Sequence, residues 1–167
     1  MFSPARRGEV TVFRVRQAGV ADLPALAAVY RRASLSNEGD APHLLANPEV
    51  LVLSDEAVRA GRTRLAMAPA GSVVGFASLA DGDGFLELED LFVDPDWMRR
   101  GIATLLVRDA VGVARQRAIP RIEVTANPHA FAFYGSVGFR PAGEVRTRFG
   151  PGQRMSLATD EDDHSIR

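Results

Sequence analysis

The run Val93-Asp94-Pro95-Asp96-Trp97-Met98-Arg99-Arg100-Gly101-Ile102-Ala103-Thr104 joins an apolar stretch to an amphipathic one through two arginines and a glycine. Such a loop has the chemistry of an anion cradle. The first turn of a helix exposes N–H groups without partners and carries the positive end of the macrodipole, and a glycine lets an anion approach the main chain. Arg99 and Arg100 add charge and Thr104 a hydroxyl. A glycine between a strand and a helix is also ordinary turn chemistry, so the neighbours decide. Upstream stands Leu86-Glu87-Leu88-Glu89-Asp90-Leu91-Phe92-Val93, with three carboxylates. Downstream stands Val124-Thr125-Ala126-Asn127-Pro128-His129-Ala130-Phe131-Ala132-Phe133-Tyr134-Gly135-Ser136-Val137-Gly138-Phe139.

With both flanks in place, residues 72–140 resemble the GNAT superfamily of acetyl-CoA-dependent N-acyltransferases. In that family a pattern of Gln or Arg, two residues, Gly, one residue, then Gly or Ala binds the cofactor pyrophosphate. Here it falls on Met98-Arg99-Arg100-Gly101-Ile102-Ala103, departing at Met98. Because the cradle works mainly through main-chain N–H groups, the departure removes one side-chain contact and leaves the loop usable. The resemblance implies coenzyme A contacts at Leu91, Phe92, Val93, Arg99, Arg100, Gly101, Ile102, Ala103, Thr104, Asn127, Phe133 and Tyr134. Asn127 would meet the pantetheine arm with its amide, and Leu91 and Val93 with main-chain groups. A bulky residue at Gly101 is expected to cost cofactor affinity far more than stability.

Acetyl transfer to an amine needs an unprotonated amine, a held carbonyl and a proton for the departing thiolate. Glu87 matches the position where some members of the family carry a glutamate base, acting directly or through water. Period-two alternation would put Glu89 on the same face, roughly 7 Å along, with Asp90 pointing the other way. The alternative for both glutamates is a solvated sheet face. Tyr134 matches the family's proton donor: a phenol with a pKa of about 10 stays protonated at neutral pH. It also reads as a core tyrosine. Asn127-Pro128 equally fits helix-entry chemistry, and His129 reads as a surface residue. Acceptor contacts, by the same resemblance, fall on Tyr30, Ser34, Asn37, Glu38 and Asp40, then on Arg146, Arg148 and Phe149. Acids in the first group favour a cationic amine and arginines in the second a carboxylate-bearing one.

Composition narrows the rivals. At 167 residues with 20 basic and 21 acidic side chains, the chain has the size of one domain and no charge excess to attract nucleic acid or an anionic membrane. It contains no Cys, which excludes an acyl-cysteine intermediate and favours direct transfer in a ternary complex. It also contains no Lys, so a Walker-type loop, a kinase site or a Schiff base lacks its essential residue. His43, His129 and His164 are too dispersed for a histidine-rich metal site, so no metal is expected.

These residues must be positioned by elements legible in the pattern. Strands are expected over 9–16, 63–68, 72–80, 85–93 and 121–125, and a hairpin over 139–148 and 153–158. The three middle strands should form an antiparallel meander, and 121–125 should run parallel to its predecessor across a helix over 100–118. A helix capped by Asp22, with Pro24 in its first turn, opens the chain; 34–47 reads as a loop or broken helix, 54–60 as a short helix and 128–136 as a second one. The fold class is therefore α/β, one domain with a mixed sheet; the resemblance implies a single GNAT-like domain over 9–158 with a mostly antiparallel sheet, flanked by helices, and a splayed parallel strand pair at the cofactor site. Residues 1–8 are expected to be a frayed end and 159–167 an acidic tail. The functional expectation is a soluble, cytoplasmic N-acetyltransferase, monomer or homodimer, acting on a small-molecule or peptide amine. Its rivals are a catalytically silent acyl-CoA-binding sensor and a dinucleotide binder; the latter needs closely spaced glycines, and Gly101 stands alone.

Overall fold

A computed structural model describes residues 11–37, 39–147 and 150–160. The expected end at 1–8, residues 161–167 of the tail expected over 159–167, and the candidate acceptor residues Glu38, Arg148 and Phe149 lie outside these; Thr159, expected in that exposed tail, is instead buried, its hydroxyl donating to the Ile119 carbonyl (2.7 Å). Seven strands form one sheet in the order β1-β2-β3-β4-β5-β7-β6. They are β1 (Arg14–Gln17), β2 (Thr63–Met67), β3 (Val73–Asp81), β4 (Leu86–Val93), β5 (Arg121–Ala126), β6 (Arg140–Thr147) and β7 (Gly150–Ala158). The helices are α1 (Leu23–Leu35), α2 (Ala41–Ala46), α3 (Glu56–Arg59), α4 (Ile102–Gln116) and α5 (Phe131–Ser136). Every pairing is antiparallel except β4 with β5, which α4 connects as a crossover. Among the described residues no helix is long and apolar enough to cross a membrane.

The sheet separates two cores. On one face Leu86, Leu88, Ile122, Val124, Met155 and Leu157 pack against Ile102, Leu106, Val107, Ala110 and Ala114 of α4 and Tyr134 of α5. On the other, Leu65 and Phe76 pack against Leu26 and Val29 of α1. The apolar side chains that α4 buries contribute about 2 kcal/mol each in gross transfer free energy, so the helix that begins at the cradle is firmly seated. Gly75 allows this close packing: a Cβ there would lie 2.9 Å from the Phe92 carbonyl oxygen and 3.1 Å from Ile102 Cγ2.

Three local expectations are corrected. Of the strand expected over 9–16, residues 9 and 10 lie outside the described residues and 11–13 are not strand; β1 begins at Arg14, because its partner β2 ends at Met67, opposite Arg14, two residues before Pro69. Asp22 does not cap α1 with its side chain. Its carboxylate reaches back instead to the Gly19 N–H (2.8 Å) and to Arg16 (2.8 Å). The helix expected over 128–136 begins only at Phe131, after a turn at 128–130.

Candidate active site

The β4–β5 ladder holds two register pairs, Leu86↔Ile122 and Glu87↔Glu123, at the beginnings of both strands. Beyond them the strands part, so a V opens toward their carboxyl ends, where ligands of parallel strand pairs ordinarily bind. One wall of the V is the free edge of β4. The Asp94 N–H donates to the Val74 carbonyl (2.8 Å), and the Phe92 carbonyl faces β3 at Gly75. Alternate residues of a strand address opposite neighbours, so the N–H and C=O groups of Leu91 and Val93 face the opening, where the expected arm contacts place them.

At the mouth of the V the chain turns through a 3₁₀ turn at Pro95–Trp97, capped by Asp94, whose carboxylate accepts the Asp96 N–H (3.0 Å). Arg99 (φ 63°) and Gly101 (φ 79°) are both left-handed. A left-handed residue beside a right-handed one, as Gly101 stands beside Ile102 at the start of α4, turns successive N–H groups inward as an anion-binding nest. A non-glycine residue held there costs of order 1–3 kcal/mol, a strain that clusters at functional sites. The Ile102, Ala103 and Thr104 N–H groups of the first turn of α4 extend the nest; the Leu105 N–H is the first to bond within the helix, to the Gly101 carbonyl (2.9 Å). A pocket of about 260 Å3 opens here, lined by Val93, Trp97, Met98, Arg99, Gly101, Ile102, Ala103, Thr104 and Phe133. Arg100 stands outside that lining, with its guanidinium 4.8 Å above the Trp97 ring. Nothing lies within 4 Å of a Cβ placed on Gly101. The glycine is required by its φ, so a substitution there strains the fold as well as the cradle.

On the other wall, Tyr134 is buried among the rings of Phe133 (5.3 Å) and Phe139 (5.2 Å). No described residue hydrogen-bonds its hydroxyl, and among the described residues no buried side-chain oxygen or nitrogen lacks a partner, so that hydroxyl is not sealed from solvent. Burial, and then the charge of Asp90, push the phenol above its ordinary range, keeping it protonated. Asn127 is exposed, and its side-chain oxygen accepts the Ala130 N–H (2.9 Å). The helix-entry role is therefore occupied, and the amide NH2 remains for a ligand. His129 is exposed, as expected.

The carboxylates of β4 are arranged differently from the expectation. Ser78 pairs with Asp90 but Leu79 with Leu88, so Glu89 is the extra residue of a β-bulge. A bulge reverses the facing of all residues beyond it. Leu86 and Leu88, then Leu91 and Val93, share the α4 face, while Phe92 joins the α1 face with Phe76. It is therefore Asp90, not Glu89, that shares a face with Glu87. Glu89 is exposed and meets Arg62 (3.1 Å). Glu87 is held through both oxygens by Arg154 of β7, at 2.6 and 2.9 Å. Arg154 also reaches Thr125 (2.9 Å) and Glu123 (3.1 Å). Arg121 bonds Glu123 in turn (3.0 Å), closing a neutral network over the last paired residues of the V. Of the candidate acceptor residues, Tyr30 donates to the Val50 carbonyl (2.6 Å) and packs edge-on against Phe92, while Asp40 and Arg146 are exposed. Among the described residues no cluster could hold a metal ion.

The family model for the acetyltransferase (GNAT) domain matches residues 46–156, about two thirds of the chain. The chain belongs to the GNAT family. No curated protein sequence matches it significantly. Solved structures share the fold. The PaiA N-acetyltransferase of Thermoplasma acidophilum, solved in complex with coenzyme A, is 17% identical with a TM-score of 0.67, over 88% of this chain and 99% of that one. The ribosomal-protein-S18-alanine N-acetyltransferase of Escherichia coli is 19% identical with a TM-score of 0.67, over 93% and 99%. The N-acetylglutamate synthase of Neisseria gonorrhoeae, complexed with coenzyme A and N-acetylglutamate, is 17% identical with a TM-score of 0.69, over 92% of this chain and 36% of that one. In this GNAT chain the residues that sequence reasoning missed are Trp97, which lines the pocket and carries Arg100, and Arg154, which occupies Glu87. Neither has a motif signal: Trp97 counts through its ring contacts, and Arg154 through a strand register.

Proposed function

We propose that this GNAT protein is an acetyl-CoA-dependent N-acetyltransferase that moves an acetyl group directly to a primary amine in a ternary complex. The observation that carries this reading is the continuity of the V with the nest. The free edge of β4 at Leu91 and Val93 leads into the pocket bounded by Arg99, Gly101, Ile102, Ala103, Thr104 and Phe133. An extended amide-bearing arm fits the first part and a pyrophosphate the second. Bound there, acetyl-CoA supplies the activated thioester. The main-chain groups of β4 orient the arm, and the nest with Arg99 and Arg100 holds the phosphates. Asn127 offers its free amide NH2 from just beyond the end of β5.

Tyr134 is positioned to give its proton to the departing thiolate; its hydroxyl is not sealed from solvent and stays protonated. A carboxylate of β4 removes the proton of the acceptor amine. Glu87, at the family-matching position, has both oxygens engaged by Arg154, which supports a structural part for it at the apex of the V. The test is release of free thiol from acetyl-CoA across a panel of amines, with calorimetric binding of coenzyme A measured beside it. Binding and amine-dependent thiol release are expected. Binding without release on any amine would favour the catalytically silent sensor instead.

A further inference from the structure

β6 ends the sheet, so one of its sides pairs with β7 and the other is free. The register decides which main-chain groups the free side offers. Arg146 stands opposite Pro151, and proline has no N–H to exchange, so theirs is a non-hydrogen-bonded position of the ladder. Bonded and non-bonded positions alternate along an antiparallel pair. Val145 and Thr147 therefore turn their N–H and C=O groups to β7, whereas Glu144 and Arg146 turn theirs outward. Pro141 and the bulge between Pro141 and Gly143 end the regular edge on one side. The side chains alternate as well. Val145 lies opposite Gly152, where an added Cβ would stand 3.5 Å from Val145 Cγ2 and 2.9 Å from Thr125 Cγ2, so Val145 is on the face away from α4. Glu144 and Arg146 are both on the α4 face and both exposed, and Val145 is 36% exposed. Among the described residues neither the Glu144 carboxylate nor the Arg146 guanidinium has a partner.

We propose that two copies of this protein pair along β6, antiparallel, about a two-fold axis that passes through Val145, and so join their sheets into one. An open edge is a template for another strand, and a two-fold axis normal to the sheet lets each copy supply that strand to the other. Outward main-chain groups must meet outward groups, so within this edge the axis passes through Glu144, Val145 or Arg146 and never between residues. Charge then selects the register. An axis at Glu144 sets that carboxylate against its own copy, and an axis at Arg146 sets arginine against arginine. An axis at Val145 sets Glu144 opposite Arg146 of the second copy, twice over, with the main-chain N–H and C=O groups of each such pair bonded across the axis. The two valines meet on the other face as a β-branched cross-strand pair. Charges on an edge ordinarily repel a copy of the same strand; an acid and a base on either side of an apolar centre make this one complementary to itself. β1, at the opposite edge, carries Arg14 and Arg16 around Val15 with no acid in the strand, so the same operation there sets arginine against arginine.

The test is the mass of the full chain in solution, by sedimentation and light scattering over a concentration series, with thermal unfolding of every variant as the control for folding. The parent is expected to be a dimer that weakens as salt screens the charge pairs. Glu144→Arg and Arg146→Glu each set like charges opposite one another, and each should weaken self-association about tenfold. Mixed in equal amounts, these two variants should associate with each other, because arginines then face glutamates at both positions. Combining Glu144→Arg with Arg146→Glu in one chain should restore the parent's dimer. Arg146→Pro, which keeps the ladder to β7 and removes an outward N–H, should be monomeric. A parent that is monomeric throughout the series would overturn the proposal. So would a dimer that neither reversal weakens, or two reversed variants that stay apart when mixed, since either result would place the contact elsewhere on the molecule.

Discussion

Arg154→Met tests whether Glu87 is a strap or a reagent. Arg154 makes two bonds to Glu87 and one to Glu123, at 2.6, 2.9 and 3.1 Å. At about 4 Å between charges and an effective dielectric of about 20, each attraction is about 4 kcal/mol before desolvation. Side-chain exposures of 20% for Arg154 and 26% for Glu87 place the pair between two regimes. Surface pairs contribute about 0–1 kcal/mol, and one-sided removal of a buried pair costs about 3–5 kcal/mol. Arg121 keeps Glu123 partnered, so the loss concentrates on Glu87. A destabilisation of about 2 kcal/mol is expected, or about 4–8 °C in Tm for a domain of this size, read by urea and thermal unfolding. Glu87→Gln in the Arg154→Met background should recover part of it, with a coupling of about 1.5 kcal/mol across the double-mutant cycle. Because Arg154 ties β7 to β4 across β5 at the apex of the V, coenzyme A affinity should fall as well. A change in stability below about 0.5 kcal/mol would refute the strap. An Arg154→Met enzyme more active than its parent would refute it more sharply, by showing that the bridge had been holding back a base.

Tyr134→Phe should lower kcat about 10²-fold with the KM for acetyl-CoA nearly unchanged, since packing survives and the proton donor is lost; full activity in steady-state thiol release would hand the acid role to water. Gly101→Ala should cost about 1–2 kcal/mol of stability from its left-handed φ as well as coenzyme A affinity, and Gly101→Asn less; unfolding curves that overlay the parent's would contradict the nest. The Asp22 carboxyl is held at about 2, first by its bonds to Arg16 and then by the Gly19 N–H. A depressed carboxyl stabilises above its unfolded pKa and loses that contribution as pH falls through the folded value. Asp22→Asn should therefore be less stable than the parent at neutral pH by up to about 1 kcal/mol, discounted for its exposed partner. The gap should close between roughly pH 4 and pH 2; a gap independent of pH would mean that charge is not its source.

Much of the cofactor side was legible because its signals are local. The Gly101 turn, the apolar stripe of α4 and the strand before them each depend on neighbours in sequence, and their expected positions agree with the elements found. The parallel β4–β5 pair followed from a crossover helix of the expected length. What escaped depends on partners elsewhere in the chain. β1 is shortened by the end of β2, and Arg154 reaches Glu87 only because β7 inserts beside β5 rather than beyond β6. Asp22 was read as a cap because its side chain suits one, but Arg16, six residues earlier in β1, competes for the same oxygens with two charge-assisted bonds.

The carboxylates of β4 mark the place where a local rule gave the wrong facing. Strict alternation over Leu86-Glu87-Leu88-Glu89-Asp90-Leu91-Phe92-Val93 puts Glu87, Glu89, Leu91 and Val93 together, and so asks one face to hold two glutamates and two large apolar side chains. The apolar spacing itself contradicts that. Leu86, Leu88, Leu91 and Val93 can share a core only if an extra residue stands between Leu88 and Leu91, and a charged residue is the cheapest one to leave unpaired in solvent. Glu89 is that residue, exposed against Arg62, and the consequence is that Asp90 turns from the α4 core to the face where Ser78 and Thr63 await it. A bulge is specified by two strands together, so the spacing in β4 becomes decisive only once β3 supplies Ser78 opposite Asp90. Which carboxylates share a face is then a matter of register, and a single strand read alone cannot decide it.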